Sequence, residues 1–132
     1  KEHQVQMLNG SAPEMFVFEP AVLNIKKGDT VTWKGDAMHN SASIKEMLPK
    51  GAKPWMGKLT NKAGEKSISV KFDIEGLYGY NCTPHAMFGM VGVIVVGDPS
   101  SNSKVAKATA KKIEKKFAAG KGRFTKYLTK VK

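Results

Sequence analysis

The stretch Cys82-Thr83-Pro84-His85-Ala86-Met87-Phe88-Gly89-Met90 constrains this chain more than any other. It lies between two strand-like runs and holds the only cysteine of the protein, a histidine three positions on and a methionine five positions beyond that. Three potential metal ligands therefore sit on one short loop. A thiolate, an imidazole and a thioether form a soft set that favours copper over hard cations such as magnesium or calcium. A His₂Cys plane with methionine as a long axial contact lacks only a second imidazole from upstream, and His39 supplies it. The candidate ligands are His39, Cys82, His85 and Met90.

A Cys-x2-His pair by itself is unspecific, because zinc sites use it too. Zinc sites are usually completed by further Cys or His, or by carboxylates, whereas this chain has no second cysteine and offers methionine. The plainer alternative is a buried free cysteine beside a surface histidine and core methionines. His3, near the terminus and with no partner in sequence, carries no functional reading.

The flanking pattern is that of a β protein. Val5 to Leu8 and Phe16 to Phe18 read as strands around a polar loop, Asn9 to Glu14. Leu23 and Ile25 alternate up to Lys27-Gly28-Asp29, which predicts a hairpin into Thr30 to Trp33. Lys34 to Asn40 is a loop that delivers His39. Ser41 to Gly64 holds a possible helical turn at Ile44 to Leu48 and then the breakers Pro49, Gly51, Pro54 and Gly57, so it reads as a surface excursion. Ile68, Val70 and Phe72 alternate with Ser67, Ser69 and Lys71 as in a half-buried strand. The period of two then puts Tyr78, Tyr80 and Cys82 on one side, which carries the thiol inward. Tyr78 is placed for the buried turn contact that sandwiches use. Met90 to Val96 is apolar at nearly every position, as when both faces are covered.

These residues resemble a known family. The run around Cys82, the Asn after His39, the opening Val5-Gln6-Met7-Leu8-Asn9 and the Val17-Phe18-Glu19-Pro20 segment are similar to those of the pseudoazurins, small blue copper proteins of the cupredoxin fold. The resemblance extends over nearly the whole chain, tail included. It implies an all-β, cupredoxin-like Greek-key sandwich with two C-terminal helices packed on it. It also implies one type 1 copper cycling between Cu(I) and Cu(II), ligated by the same four residues, with Asn40 and Asn9 bracing the site. The implied role is a periplasmic one-electron shuttle, not an enzyme, donating to an acidic redox partner such as copper nitrite reductase. The resemblance further implies that His85 reaches the surface through an apolar patch, for which Ala86, Met87, Phe88 and Met38 are in place. Three positions depart from the family: Phe16 stands where methionine is common, and Ala37 and Asn81 where lysines are familiar.

A chain of 132 residues is one domain's length, read as a sandwich over 1–99 and a basic helical tail over 100–132. No stretch approaches the roughly 18 to 20 apolar residues of a membrane span, and a monomer is expected. The chain starts at Lys1 without an apolar leader, which fits a mature secreted product or an expression product alike. The formal charge of +11 is uneven: 11 Lys against 10 acids up to Pro99, then 11 Lys plus Arg against one Glu. A basic tail suggests nucleic-acid affinity. Against that, Val105, Ala108, Ile113, Phe117, Leu128 and Val131 recur at roughly helical spacing, so the lysines read as the solvated face of helices docked on the sheet, with no nucleic acid and no membrane as partner. Asn102 or Ser103 is placed to cap the first helix, and Gly120-Lys121-Gly122 to break it from a second. For docking, Lys50, Lys53, Lys58 and Lys62 are expected near the metal, and Lys111, Lys112, Lys115 and Lys116 remote from it. The competing functions are a nucleic-acid-binding module driven by the tail and a Cys-His nucleophilic enzyme using Cys82 and His85.

Overall fold

Alternating apolar residues need two faces to bury against, and the computed structural model, which describes residues 1–12 and 14–131, supplies them as two packed four-stranded sheets and a helical layer. Pro13, inside the loop expected over Asn9 to Glu14, and Lys132 lie outside the described residues. The first sheet has the order β2-β1-β4-β6, from β1 (Glu2–Ser11), β2 (Glu14–Glu19), β4 (Thr30–Gly35) and β6 (Glu65–Lys71). The second has the order β3-β8-β7-β5, from β3 (Val22–Ile25), β5 (Ala42–Ser43), β7 (Gly76–Asn81) and β8 (Val91–Val96). Strands β1 and β4 pair in parallel, as do β3 and β8, while the other neighbours are antiparallel.

The hairpin expected across Lys27-Gly28-Asp29 does not form. Strand β3 pairs with β8 in one sheet, and β4 pairs with β1 and β6 in the other. The reason lies in β8, which is buried along its whole length: an interior strand needs a partner on each edge, and β3 is the second one, beside β7. The 26–29 turn crosses between the sheets, with Gly28 at φ +94° and the Asp29 carboxylate holding Lys26 N–H at 3.0 Å, His3 Nε2 at 2.9 Å and the Lys1 amino group at 3.2 Å. His3 thus has a structural partner that its position in sequence did not indicate. These contacts, the His3 hydrogen bond first, hold the Asp29 carboxyl well below the usual carboxylate range. A carboxyl depressed on folding contributes stability that is present above its unfolded value of about 4 and is lost as pH falls through the folded value. Urea midpoints measured down the acid range are therefore expected to fall less steeply in Asp29→Asn than in the parent. Parallel curves would remove this turn from the acid response.

Strand period places Tyr78, Tyr80 and Cys82 in the core between the sheets, with Val5, Met7, Phe18, Trp33 and Ile94, whereas Leu77, Val91, Val93 and Val95 point the other way. The Tyr78 hydroxyl donates to the Ile74 carbonyl at 2.6 Å, closing the turn before β7. Tyr78→Phe leaves that carbonyl without its partner and is expected to cost about 1 kcal/mol; an unchanged urea midpoint would count against the contact. Trp55, in the excursion expected over Ser41 to Gly64, whose Ala42–Ser43 forms β5, covers the core edge and donates from Nε1 to Ser41 Oγ at 2.9 Å.

The second face of β8 is covered by α1 (Ser103–Glu114) and α2 (Arg123–Leu128), as the tail's apolar stripe predicts, but the stripe is displaced in register. Ala106, Ala110 and Phe117 are buried with Ile113 beside them, while Val105 is 65 % exposed and Ala108 is exposed. Small side chains at i and i+4 let the helix backbone approach the sheet, so alanines rather than the larger valine face inward. Asn102 stands at the N-cap of α1, and its carbonyl accepts from Ala106 N–H at 2.9 Å, but its side chain does not cap the helix; the carboxamide instead donates to Leu77 O and accepts from Leu77 N–H, both at 2.8 Å, fastening α1 to β7. Gly120 and Gly122, at φ +73° and +86°, make the break between the helices. No helix among the described residues is long and apolar enough to cross a membrane.

Candidate metal centre

Four segments converge at one end of the sandwich. His39 lies in the link between β4 and β5, and Cys82 directly follows β7. His85 sits on a 3-10 turn over Thr83–Phe88, and Met90 directly precedes β8. Proline at the start of that turn fixes its entry, and Gly89 at φ +82° ends it. The loop is closed by its own backbone: His85 N–H donates to Cys82 O at 3.1 Å, Cys82 N–H to Met90 O at 3.0 Å, and Met90 N–H to His85 O at 3.3 Å.

His39 is brought to this loop by contacts far apart in sequence. The Asn40 carboxamide oxygen accepts from Thr83 N–H at 2.7 Å, and its NH₂ donates to Thr83 Oγ1 at 3.0 Å and Gly57 O at 3.2 Å. His39 N–H donates to Thr60 Oγ1 at 3.1 Å, and Thr60 N–H donates to His39 O at 2.9 Å. The His39 ring lies with Nε2 2.7 Å from Asn9 Oδ1. A carbonyl oxygen only accepts, so that contact puts the ring proton on Nε2 and leaves the Nδ1 lone pair free to ligate. Asn9 and Asn40 thus occupy the bracing positions expected of them.

His39 Nδ1 stands 3.6 Å and His85 Nδ1 3.4 Å from Cys82 Sγ. All three donor atoms lie within 4.8 Å of one another. His39, Cys82 and Met90 are fully buried, and Met90 shares the inter-sheet core with Cys82. Burial raises the Cys82 thiol, opposed by the Asn40 and His85 backbone N–H groups aimed at the sulfur. Burial lowers His39, helped by the neighbouring His85, and burial also lowers His85. The protein therefore offers two neutral imidazoles and a thiol that releases its proton only to a bound cation. Soft donors, mutual proximity and a neutral, dry pocket fit a copper ion with four protein ligands.

Phe16 stacks on the His85 ring, with centroids 4.2 Å apart and planes 12° from parallel. Met87 and Phe88, on the same turn as His85, are 50 % and 41 % exposed and form an apolar patch beside it, and Met38, next to His39, is 54 % exposed. Of the lysines expected near the metal, Lys53 lies elsewhere. Lys53 lines a groove with Lys71, Asp73 and Tyr78, at the start of β7 and so at the end opposite the site. The tail, in contrast, reaches the site: Ala118 N–H donates to Met87 O at 2.6 Å, and Lys121 and Lys126 line a groove of about 580 Å³ with Phe16 and Phe88. Sequence reading missed Thr60 and Arg123. Thr60 lies where no periodic pattern exists, whereas Arg123 had a signal, being the only arginine of the chain.

The family model described as copper binding proteins, plastocyanin/azurin family, matches residues 5–97. A pseudoazurin from Methylorubrum extorquens is 40% identical over 124 residues, covering 89% of this chain and 80% of the relative. One from Paracoccus pantotrophus is 40% identical over 110 residues, covering 83% and 72%. Among solved structures, a pseudoazurin from Sinorhizobium superposes with a TM-score of 0.82 at 36% identity over 99% of this chain and 96% of that one. Another, from Hyphomicrobium denitrificans, superposes with a TM-score of 0.74 at 29% identity over 100% and 99%.

Proposed function

This chain belongs to the plastocyanin/azurin family of copper-binding proteins, and within it to the pseudoazurins, and from that premise we propose that His39, Cys82, His85 and Met90 are the ligands of its type 1 copper. The protein is an electron-transfer cupredoxin and not an enzyme. Bound copper supplies the one-electron Cu(II)/Cu(I) couple. Everything else is done by the chain. Cys82 would hold the ion as thiolate, His39 and His85 would hold it through Nδ1, and Met90 would add a soft, weak thioether donor. With four protein ligands no position is left for substrate, so the reaction is outer-sphere. The Cys82–Met90 backbone closure and the Asn40–Thr83 pair hold the donors in place as the charge changes, and the half-exposed Met87 and Phe88 bring a partner close to His85.

The observation that carries this reading is the convergence of two imidazole nitrogens and the only thiol within 4.8 Å in a buried pocket. Titration of the metal-free protein with Cu(II) is expected to give one equivalent of an intensely coloured species that reduces reversibly by one electron in voltammetry. A colourless or weakly coloured complex would overturn the ligand assignment.

The reading extends to partner, place and organisation. The chain acts as one unit over 1–132, supported by the burial of Phe117, Phe124, Leu128 and Val131 against β8. It works as a periplasmic monomer that passes electrons to an acidic reductase such as copper nitrite reductase, supported by the patch at His85 and the lysines around it. Exposed charges act over about 8 Å at physiological salt, so steering depends on lysines at the copper end. Changing Lys62 and Lys121 to Gln is expected to slow association with the reductase more, and to flatten its salt dependence more, than changing Lys50 and Lys53, which removes the same formal charge. Stopped-flow rates at several ionic strengths decide it. Equal slowing would mean that the overall field guides the encounter.

A further inference from the structure

Arg123 is the only arginine among the chain's 22 Lys and Arg residues, and its side chain is 10 % exposed although most lysines of the same tail are exposed. Its Nη1 stands 3.0 Å from each of three backbone carbonyls, those of Met15, Phe16 and Gly89, and its Nη2 lies 3.3 Å from Glu14 Oε2. Two Nη1 hydrogens serve three acceptors, so one is shared.

These carbonyls belong to the two segments that fix the far side of the metal centre. Phe16 has φ +58°, a left-handed conformation that a bulky residue adopts only when its surroundings hold it there. The β1–β2 ladder pairs Leu8 with Val17 and Gly10 with Met15, and Phe16 between them drops out. That kink lets the phenyl ring stack on His85 and frees the carbonyls that Arg123 takes up. On the other side Gly89 immediately precedes Met90. The tail comes close enough because both backbones are glycine at the contact: a Cβ on Gly120 would stand 2.8 Å from Phe88 O, and one on Gly89 3.1 Å from Gly120 Cα.

We propose that Arg123 is a positioning residue for the copper centre: one guanidinium, donated by the C-terminal tail, locks the strand that carries Phe16 over His85 to the turn that carries Met90. The tail then tunes the site directly and is more than cover for the sheet. This rests on His85 and Met90 being ligands. Losing the lock frees the Phe16 ring to leave His85 and lets Gly89 and Met90 shift, and the axial contact is one of the main determinants of potential.

The test compares Arg123→Gln, Arg123→Lys and Glu14→Gln with the parent. Arg123→Lys keeps the charge but lacks the forked planar donors, and Glu14→Gln alters charge at the same place without touching the carbonyls. Both Arg123 variants are expected to change the relative intensities of the visible bands of the oxidised protein and to shift its potential, while Glu14→Gln leaves the band ratio as it is. In NMR of the metal-free or reduced protein, the His85 ring protons, moved upfield by the stacked phenyl, should recover most of the displacement that Phe16→Ala produces. If Arg123→Gln fails to fold, Arg123→Lys gives the same readouts. Parent-like spectra, potential and ring shifts in both variants overturn the proposal and leave the ligand assignment standing. A shift of potential in Arg123→Gln alone, with Arg123→Lys like the parent, reduces Arg123 to a charge and also overturns it. If the parent itself binds copper without intense colour, both readings fall.

Discussion

Cys82→Ala is expected to abolish the intense visible absorption of the copper-loaded protein entirely. The colour requires a thiolate bonded to Cu(II), and Cys82 is the only thiol in the chain. The two imidazoles that remain, His39 and His85, with ring centroids 4.8 Å apart, can still hold a metal, so the variant should bind Cu(II) weakly and without colour. Its fold should survive, because a buried Cys→Ala change removes one sulfur atom from a core that also contains Trp33, Tyr80, Phe18 and Ile94, at a cost on the order of 1 kcal/mol. Circular dichroism and a copper titration followed in the visible range check both halves. A surviving intense band would mean that the thiolate is not the ligand.

Met90→Gln should keep copper and colour but lower the potential. As the proposed axial donor, the thioether would be soft and weak and would favour Cu(I); a carboxamide oxygen is harder and would stabilise Cu(II). A differential stabilisation of about 1.4 kcal/mol corresponds to about 59 mV in a one-electron couple, so a change of one to a few such steps is expected in voltammetry. Glutamine is close to methionine in length, and Met90 is held through its backbone to Cys82 and His85, so the side chain should present its oxygen from nearly the same place. An unchanged or higher potential would remove Met90 from the axial position.

What can be read in this sequence is what short-range covalent geometry dictates. Strand period alone puts Tyr78, Tyr80 and Cys82 on one face, and the structure has all three in the inter-sheet core. Cys82, His85 and Met90 fall within one loop, so their proximity follows from chain connectivity, and their donor types select copper. His39 was reached by ligand chemistry, through the need for a second imidazole, and the structure brings its Nδ1 to 3.6 Å from the sulfur. The apolar recurrence of the tail correctly indicated docked helices.

The rest was decided by which segments the fold brings together. The Lys27-Gly28-Asp29 turn has the local character of a hairpin, yet β3 leaves for the other sheet because β8 needs a second edge partner, a demand made by residues some 70 positions away. The inward face of α1 was set by how closely a helix approaches a sheet, which favours Ala106 and Ala110 over Val105. The lysine expectation failed at Lys53 for the same reason: the position of a charge relative to the copper end depends on where the chain returns, and the 117–123 turn returns to the ligand loop while Lys53 does not. Arg123 meets Met15 across a separation of 108 residues. Periodicity fixes the face on which a residue lies within its own element, whereas the partner of that face depends on strand order and loop closure, which emerge only when every apolar face is buried at once.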